Sequence, residues 1–229
     1  LWELLELHRC LLVAKPRKTG ISTACELADL VWTYNADRAR QYVRTVFVID
    51  EDSKAGEHLD QYEDFVDQLD LPGVRIKRSK GEYQLRFRNG SRIDCITAGG
   101  DNPGRGGNIN RLHVTELPFW ARPRRNYQHL RSACHDNPIV VIETTMDTID
   151  EYCEELWTNA RAGLNEFHAV VWLVEDHESY RMPGELITDE EWIGCQKEGF
   201  KKRGAAAWWL KHALPNLCAN DMLSLMHDF

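Results

Sequence analysis

The stretch Cys10-Leu11-Leu12-Val13-Ala14-Lys15-Pro16-Arg17-Lys18-Thr19-Gly20-Ile21-Ser22-Thr23 decides the fold. Its first five residues are wholly apolar and too few for a buried helix, so they read as a strand enclosed on both faces. A basic turn follows and closes on Gly20. Over residues 21–34 the side chains of Ile21, Ala24, Cys25, Ala28, Val31 and Trp32 then recur at helical spacing. The same grammar returns further on. Thr45–Ile49 is a second apolar run, and residues 52–69 carry the stripe Ala55, Leu59, Tyr62, Val66 and Leu69 before Pro72-Gly73 stops it. Leu112–Thr115, Pro138–Thr144 and Phe167–Val174 read as strands, residues 149–161 as a helix, and the chain from Thr188 onward as helical.

One segment breaks the alternation. Tyr83, Leu85 and Phe87 alternate with Gln84, Arg86 and Arg88, Asn89-Gly90 is a two-residue turn signal, and Arg92 to Thr97 returns. The whole predicts an α/β protein: a three-layer sandwich with a mainly parallel central sheet, helices on both faces, a β-hairpin insertion and a helical C-terminal tail. In such sheets ligands bind in the loops beyond the carboxyl ends of the strands.

Composition narrows the class. The chain has 229 residues, 43% of them hydrophobic and 28% charged, as in ordinary globular proteins. No apolar run approaches the roughly 18 residues of a membrane span, and Leu1-Trp2-Glu3-Leu4-Leu5-Glu6 lacks the pattern of a secretory leader. A chain that does not open on Met is expected to be a piece of a longer one. The 28 Lys and Arg against 36 Asp and Glu leave a net charge of −8, which argues against a domain that coats nucleic acid over its whole surface but leaves room for a local basic face. Seven scattered cysteines, never in a C-x-x-C pair, speak against a disulfide framework or a zinc knuckle and for a reducing cytoplasm.

Chemistry is expected first in the loop after the opening strand. A P-loop reads G-x-x-x-x-G-K-[ST]. With Ser22 aligned to the final hydroxyl, Gly20 takes the second glycine, but Ile21 stands where the lysine should be and Lys15 where the first glycine should be. Phosphates need backbone N–H groups at a helix start, a positive charge and a hydroxyl for Mg²⁺. Lys15, Arg17, Lys18, Gly20 and Ser22 can supply all three, since a lysine on a long stem reaches in from either end of a curled loop. The plainer reading is a basic turn in which Ser22 caps the helix. Residues 98–107 hold five glycines with Arg105 among them, which is either a pliant connection or a guanidinium placed to reach a phosphate. Glu116 follows the Leu112–Thr115 strand, where a carboxylate can activate water, or it is a surface acid before a Leu-Pro turn. Thr144 and Thr145 are either sensing hydroxyls at a strand tip or simple strand-end caps.

These four signals in this order resemble the ATPase domain of the large terminase subunit of tailed bacteriophages. Part of that family carries a deviant P-loop of the form K-x-R-x-x-G-[hydrophobic]-[ST], and Lys15 to Ser22 is similar to it. The run from Thr97 to Trp120 resembles the family's "AG…RGG…RLH.SE..FW" segment. The resemblance covers roughly residues 10–175. It implies a P-loop fold of the ASCE type, with residues 1–185 as ATPase core and 186–229 as a helical subdomain leading toward an absent nuclease domain.

The resemblance also implies roles. Lys15, beside Arg17, would neutralise the β- and γ-phosphates of ATP, with Lys18, Thr19, Gly20, Ile21 and Thr23 completing the loop and Ser22 holding Mg²⁺. Glu116 would polarise the attacking water and Arg105 would complete a neighbour's site in a ring. Thr144 and Thr145 would couple hydrolysis to movement. Thr115 departs from the family's usual Asp, so any hold on Mg²⁺ would run through its hydroxyl or a water.

The implied partners are double-stranded DNA, the portal protein of the procapsid, the small terminase subunit and further copies of the chain. The copies would form a ring, expected to be pentameric, from a chain that is monomeric in isolation. The work would be done in the host bacterial cytoplasm, transiently docked on the procapsid, with no nuclease activity in this chain. Arg86, Arg88 and Arg92 on the hairpin and Arg122, Arg124 and Arg125 after Trp120 are the expected DNA contacts. Two other readings remain: another nucleic-acid-dependent ATPase of helicase type, and a regulatory domain with a degenerate P-loop, favoured by the missing lysine at position 21.

Overall fold

In a computed structural model the described residues are 2–16, 20–79, 82–99, 108–145, 150–171, 182–197, 200–208 and 210–211. In chain order the elements are α1 (Trp2–Leu7), β1 (Cys10–Lys15), α2 (Ile21–Arg38), β2 (Arg44–Ile49), α3 (Asp52–Gln68), β3 (Arg75–Ser79), β4 (Glu82–Arg86), β5 (Arg92–Thr97), β6 (Ile109–Thr115), α4 (Pro123–Ser132), β7 (Cys134–Thr145), α5 (Glu151–Arg161), β8 (His168–Val171), α6 (Asp189–Lys197) and α7 (Arg203–Trp208). The strands form one sheet in the order β3-β4-β5-β2-β6-β7-β1-β8.

The centre of the sheet is parallel and one edge is antiparallel. β2 runs parallel to β5 and β6, and β6 parallel to β7, while β3, β4 and β5 form an antiparallel meander. β1, β2 and the middle of β7 are buried without alternation, and mostly apolar, because both faces of the sheet are covered. Successive residues serve opposite cores. Val46, Val48, Leu112, Val114, Val140 and Ile142 pack with Tyr127 and Leu130 of α4 and Ala160 of α5. Phe47, Ile49, Ile93 and Cys95 pack with Leu30 of α2 and Ala55, Leu59 and Tyr62 of α3. The three-layer α/β sandwich is the expected one.

The hairpin is present, but its turn is longer than the Asn89-Gly90 pair suggests. The Phe87 N–H donates to the Ser91 carbonyl at 2.9 Å and the Gly90 N–H to the Phe87 carbonyl at 3.2 Å, enclosing Arg88, Asn89 and Gly90. Gly90 takes φ 90°, the left-handed residue that a three-residue loop requires. Asn89 is engaged elsewhere: its Oδ1 accepts from the Ser91 N–H, and its Nδ2 donates to the Gln41 carbonyl at 3.0 Å.

The chain divides into two compact units. The first comprises residues 1–13, 20–144 and 148–170, and the second residues 14–19, 145–147 and 171–229. In the second unit Ile187, Cys195, Ala206 and Ala207 form a small core with Trp192 and Phe200 against it. There α6 opens on a reciprocal cap: the Glu191 N–H donates to Thr188 Oγ1 at 3.1 Å and the Thr188 N–H to Glu191 Oε2 at 2.7 Å. Arg203 ties α7 to the carbonyls of Gly184 and Ile187 at 3.0 and 2.8 Å.

Candidate functional site

Two functional candidates of the first unit share one end of the sheet. Asp29, on α2, meets Arg111 and His113 on β6. One turn nearer the helix start, Cys25 lies within the field of Glu143, which pairs with Thr115 at the end of β6. The helix therefore rises toward its N-terminus as β6 rises toward its C-terminus. From the Asp29–His113 contact the helix start at Ile21 is eight residues up, about 12 Å. Glu116 is three residues up, about 10 Å. The glycine-closed turn and Glu116 thus stand at the same rim.

At that rim α2 begins at Ile21, with Gly20 as its N-cap residue at φ 74°, ψ 7° and no side-chain cap bond. The reading of Ser22 as the cap is corrected by this geometry: Ser22 is already the second helical residue, and the left-handed turn at Gly20 makes the entry. A Cβ on Gly20 would meet nothing within 4 Å, so only the backbone angle calls for glycine. Ser22 is half-buried and Thr23 exposed, the latter accepting from Gln61 Nε2 at 3.2 Å.

Glu116 is held in an unusual posture. Its φ of 52° and ψ of 42° are left-handed, a conformation in which a side chain with a Cβ is strained. The surroundings fix it there. Its N–H donates to the Glu143 carbonyl at 2.9 Å, and its own carbonyl accepts from the Phe119 N–H at 3.0 Å. Its Oε2 accepts from the Thr144 hydroxyl at 3.0 Å. Just before it, the carbonyl of the buried Thr115 accepts from Trp120 Nε1 at 3.1 Å, and the Trp120 ring is sunk in the core. Strained backbone of this kind collects where a side chain must be aimed.

Beneath the rim lies a buried group of charges. Asp29 is fully buried and accepts from Arg111 Nε, from His113 Nδ1 at 2.7 Å and from the Tyr62 hydroxyl at 3.3 Å. His113 Nε2 faces Glu143 Oε1 at 3.9 Å. Glu26, one helical turn before Asp29, pairs with His58 Nδ1 at 3.1 Å. Burial favours the neutral form of Asp29, but the Arg111 and His113 charges outweigh it and hold its carboxyl below the usual range. For His113 burial opposes the charge, and Asp29, by charge and by hydrogen bond, overcomes it and raises the imidazole, with Glu143 and Glu26 adding to the pull. Burial pushes the Glu26 carboxyl up despite His58. None of these contacts is visible in residue spacing, since Asp29 and its two β6 partners lie 82 and 84 residues apart in the chain.

The remaining candidates fall in several places. Lys15 and Thr145 end β1 and β7 and belong to the second unit; Thr144, at the end of the first unit's share of β7, is the one whose hydroxyl meets Glu116. Arg17, Lys18, Thr19 and Arg105 lie outside the described residues. Arg86 and Arg88 are exposed on the hairpin, whereas Arg92 pairs with the buried Asp94 at 3.1 Å. Arg122 and Arg125 are exposed at the start of α4, and Arg124 is committed to Glu155 and to the Tyr152 ring, 4.7 Å from its centroid. Thr115 and Ser22 offer hydroxyl oxygens, and Glu116 a carboxylate, the oxygen donors a hard divalent cation takes. Among the described residues no group of three or more His, Cys, Asp and Glu could hold a metal ion, and no helix is long and apolar enough to cross a membrane.

No protein-family model matches the sequence, and no curated protein matches it significantly. Solved structures do. The bacteriophage HK97 large terminase superposes with a TM-score of 0.61 at 15% identity, over 96% of this chain and 46% of that one. The large terminase of the thermophilic bacteriophage D6E in complex with ATP-gamma-S gives 0.57 at 10% identity, over 86% of this chain and 45% of that one. The large terminase ATPase domain of Thermus phage P74-26 gives 0.55 at 13% identity, over 86% and 87%. The chain thus spans less than half of the HK97 and D6E proteins, and it has the fold of the ATPase domain of phage large terminases.

Proposed function

We propose that this chain is the ATP-hydrolysing motor domain of a viral large terminase, powering translocation of double-stranded DNA into procapsids. The observation that carries the reading is the Glu116–Thr144 contact at the rim where a glycine-capped helix begins, within a fold shared with terminase ATPase domains. The likeness to a D6E protein crystallised with ATP-gamma-S supports ATP as the nucleotide.

In this reading the first-turn amides of α2 and the loop from Lys15 to Thr23 hold the β- and γ-phosphates, with Lys15 or Lys18 as the charge that neutralises them and Arg17 beside it. Ser22 would hold Mg²⁺, with Thr115 contributing through its hydroxyl or a water, and the ion would supply neutralising charge at the phosphate oxygens. Glu116 accepts the hydrogen bond of the attacking water and aligns it for in-line attack on the γ-phosphorus. The bond from the Thr144 hydroxyl orients the carboxylate that meets that water. Arg105 serves the site of a neighbouring copy in a ring, and Thr144 with Thr145 passes the change at the phosphate into β7. Arg86 and Arg88, with Arg122 and Arg125, are the exposed cations proposed to follow DNA phosphates. The portal and the small terminase subunit are the proposed docking partners in the host cytoplasm.

The test is hydrolysis of ATP by the protein and its Glu116→Gln and Lys15→Ala variants. Glu116→Gln is expected to lower turnover by about 10²-fold or more while nucleotide still binds. Lys15→Ala is expected to abolish binding; full activity in that variant would assign the phosphate charge to Lys18. Wild-type protein that neither binds nor hydrolyses ATP, with DNA and partners present, would leave the degenerate regulatory reading in its place.

A further inference from the structure

The buried charges beneath the rim link the three segments that the proposed mechanism needs. β-strand alternation turns Arg111, His113 and Thr115 toward α2, and the register Thr115↔Glu143 turns Glu143 to the same side. His113 is fully buried and lies between two carboxylates: Asp29 on the helix that starts at Gly20, at 2.7 Å, and Glu143 on β7, at 3.9 Å. Glu143 in turn fixes Glu116 twice. Its carbonyl accepts the Glu116 N–H at 2.9 Å, and the next residue, Thr144, donates to the Glu116 carboxylate at 3.0 Å. The Phe47 ring, 4.5 Å away and tilted by 38°, closes the remaining side of the imidazole.

A buried ionic group is a costly way to join a strand to a helix, because apolar side chains of the same volume usually serve stability as well or better. What the charges add here is direction: a hydrogen bond joins His113 Nδ1 to Asp29 at 2.7 Å, and the other ring nitrogen meets Glu143 at 3.9 Å as a charge contact, too long for a hydrogen bond. We propose that His113 is a positioning residue for ATP hydrolysis: bridging Asp29 and Glu143, it sets the end of β7 so that Thr144 orients the Glu116 carboxylate. The inference rests on the ATPase reading above. His113 touches neither nucleotide nor water; it acts through Glu143 and Thr144. The same bridge ties the helix carrying the phosphate turn to the strand carrying the base, so the two keep their spacing.

The imidazole nitrogens can be tested one at a time. An asparagine amide reaches about where Nδ1 stands, and a glutamine amide about where Nε2 stands. His113→Asn keeps the bond to Asp29 and loses the arm toward Glu143. Its kcat is expected to fall roughly 10- to 100-fold, the usual cost of losing a group that orients another. KM and the affinity for ATP-gamma-S should stay within about twofold, a split that a merely structural lesion would not produce. His113→Gln keeps the arm toward Glu143 but gives up the bond to Asp29, so it breaks the bridge at its other end and should also lose kcat at nearly constant KM. In a Thr144→Val background the His113→Asn penalty should largely vanish, because both substitutions cut one chain.

Unchanged kcat in His113→Asn overturns the inference. So does unchanged kcat in His113→Gln, a loss of kcat accompanied by a matching loss of nucleotide affinity, or full additivity with Thr144→Val. If His113→Asn does not fold, Glu143→Gln reads the same link from its other end and must show the same drop in kcat at constant KM. Hydrolysis that stops in Glu116→Gln but ignores these changes refutes this inference alone. No hydrolysis by the wild-type protein refutes the ATPase reading and this inference with it.

Discussion

Replacing Asp29 by asparagine removes one charge and no volume, at the position where the buried charges converge. The carboxylate is fully buried and serves Arg111, which is 3% exposed, and His113, which is fully buried. Without it Arg111 loses its ion-pair partner, and its Nη2 already has no hydrogen-bond partner among the described residues. His113 is left with Glu143, at 3.9 Å. Stranding a buried charge by removing one partner costs about 3–5 kcal/mol, a large share of the roughly 5–15 kcal/mol that holds a domain folded.

The sign of the pH dependence follows from the direction of the Asp29 shift. Its folded pKa lies below the unfolded value of about 3.9. The stabilisation is therefore present above that pH and is lost as pH falls through the depressed folded value. The amide that replaces the carboxylate carries no charge at any pH. The gap between wild type and Asp29→Asn should be full at pH 7 and should close as the pH drops below about 4. Hydrogen exchange of the α2 and β6 amides, followed by mass spectrometry, reads the region itself. Protection there should fall by roughly 100-fold or more in the variant at pH 7. A loss under about 1 kcal/mol, or a gap as wide in acid as at neutrality, would refute the argument that Asp29 is the ionised counter-charge of this cluster.

Two further substitutions probe the frame around the site. Leu130 of α4 is fully buried in the core that also holds Val140 and Ile142 of β7 and Ala160 of α5, so Leu130→Ala should cost about 3–5 kcal/mol in urea unfolding; a loss near zero would mean that α4 does not pack as described. Gly20→Ala meets no atom, and its cost should be the backbone penalty alone, about 1–2 kcal/mol by thermal unfolding. A larger loss would show that the space around the turn is filled.

The parallel core was legible because its signals are local. Cys10–Ala14 in β1, Val46–Ile49 in β2 and Pro138–Ile142 in β7 are unbroken apolar runs, and α3 and α5 carry clean stripes. β3 was not legible: Arg75-Ile76-Lys77-Arg78-Ser79 is a charged edge strand with little to bury, and it is held by pairing with β4 rather than by its own composition. α4 was missed for a related reason, since Tyr127 and Leu130 are its only buried residues. Glu116 stands out in the sequence by its place after a strand, and Thr144 by its place at a strand tip. That the two touch depends on the β6–β7 register, which spacing does not reveal. The Asp29–Arg111–His113 group was invisible because a charged residue in a helix or strand ordinarily marks a wet face. Here burial is imposed by the helix layer above, and only the fold shows that three apparent surface residues face one another.

The posture of Glu116 has an evolutionary corollary. Glycine or asparagine would adopt its left-handed backbone with less strain than glutamate does. A selection scheme that rewards heat resistance alone would therefore favour replacing it, and would harvest sturdier proteins stripped of their carboxylate. On the role proposed for Glu116, the position carries an inbuilt tension between durability and work, and a glutamate persisting there under such a regime would signal that turnover is being selected.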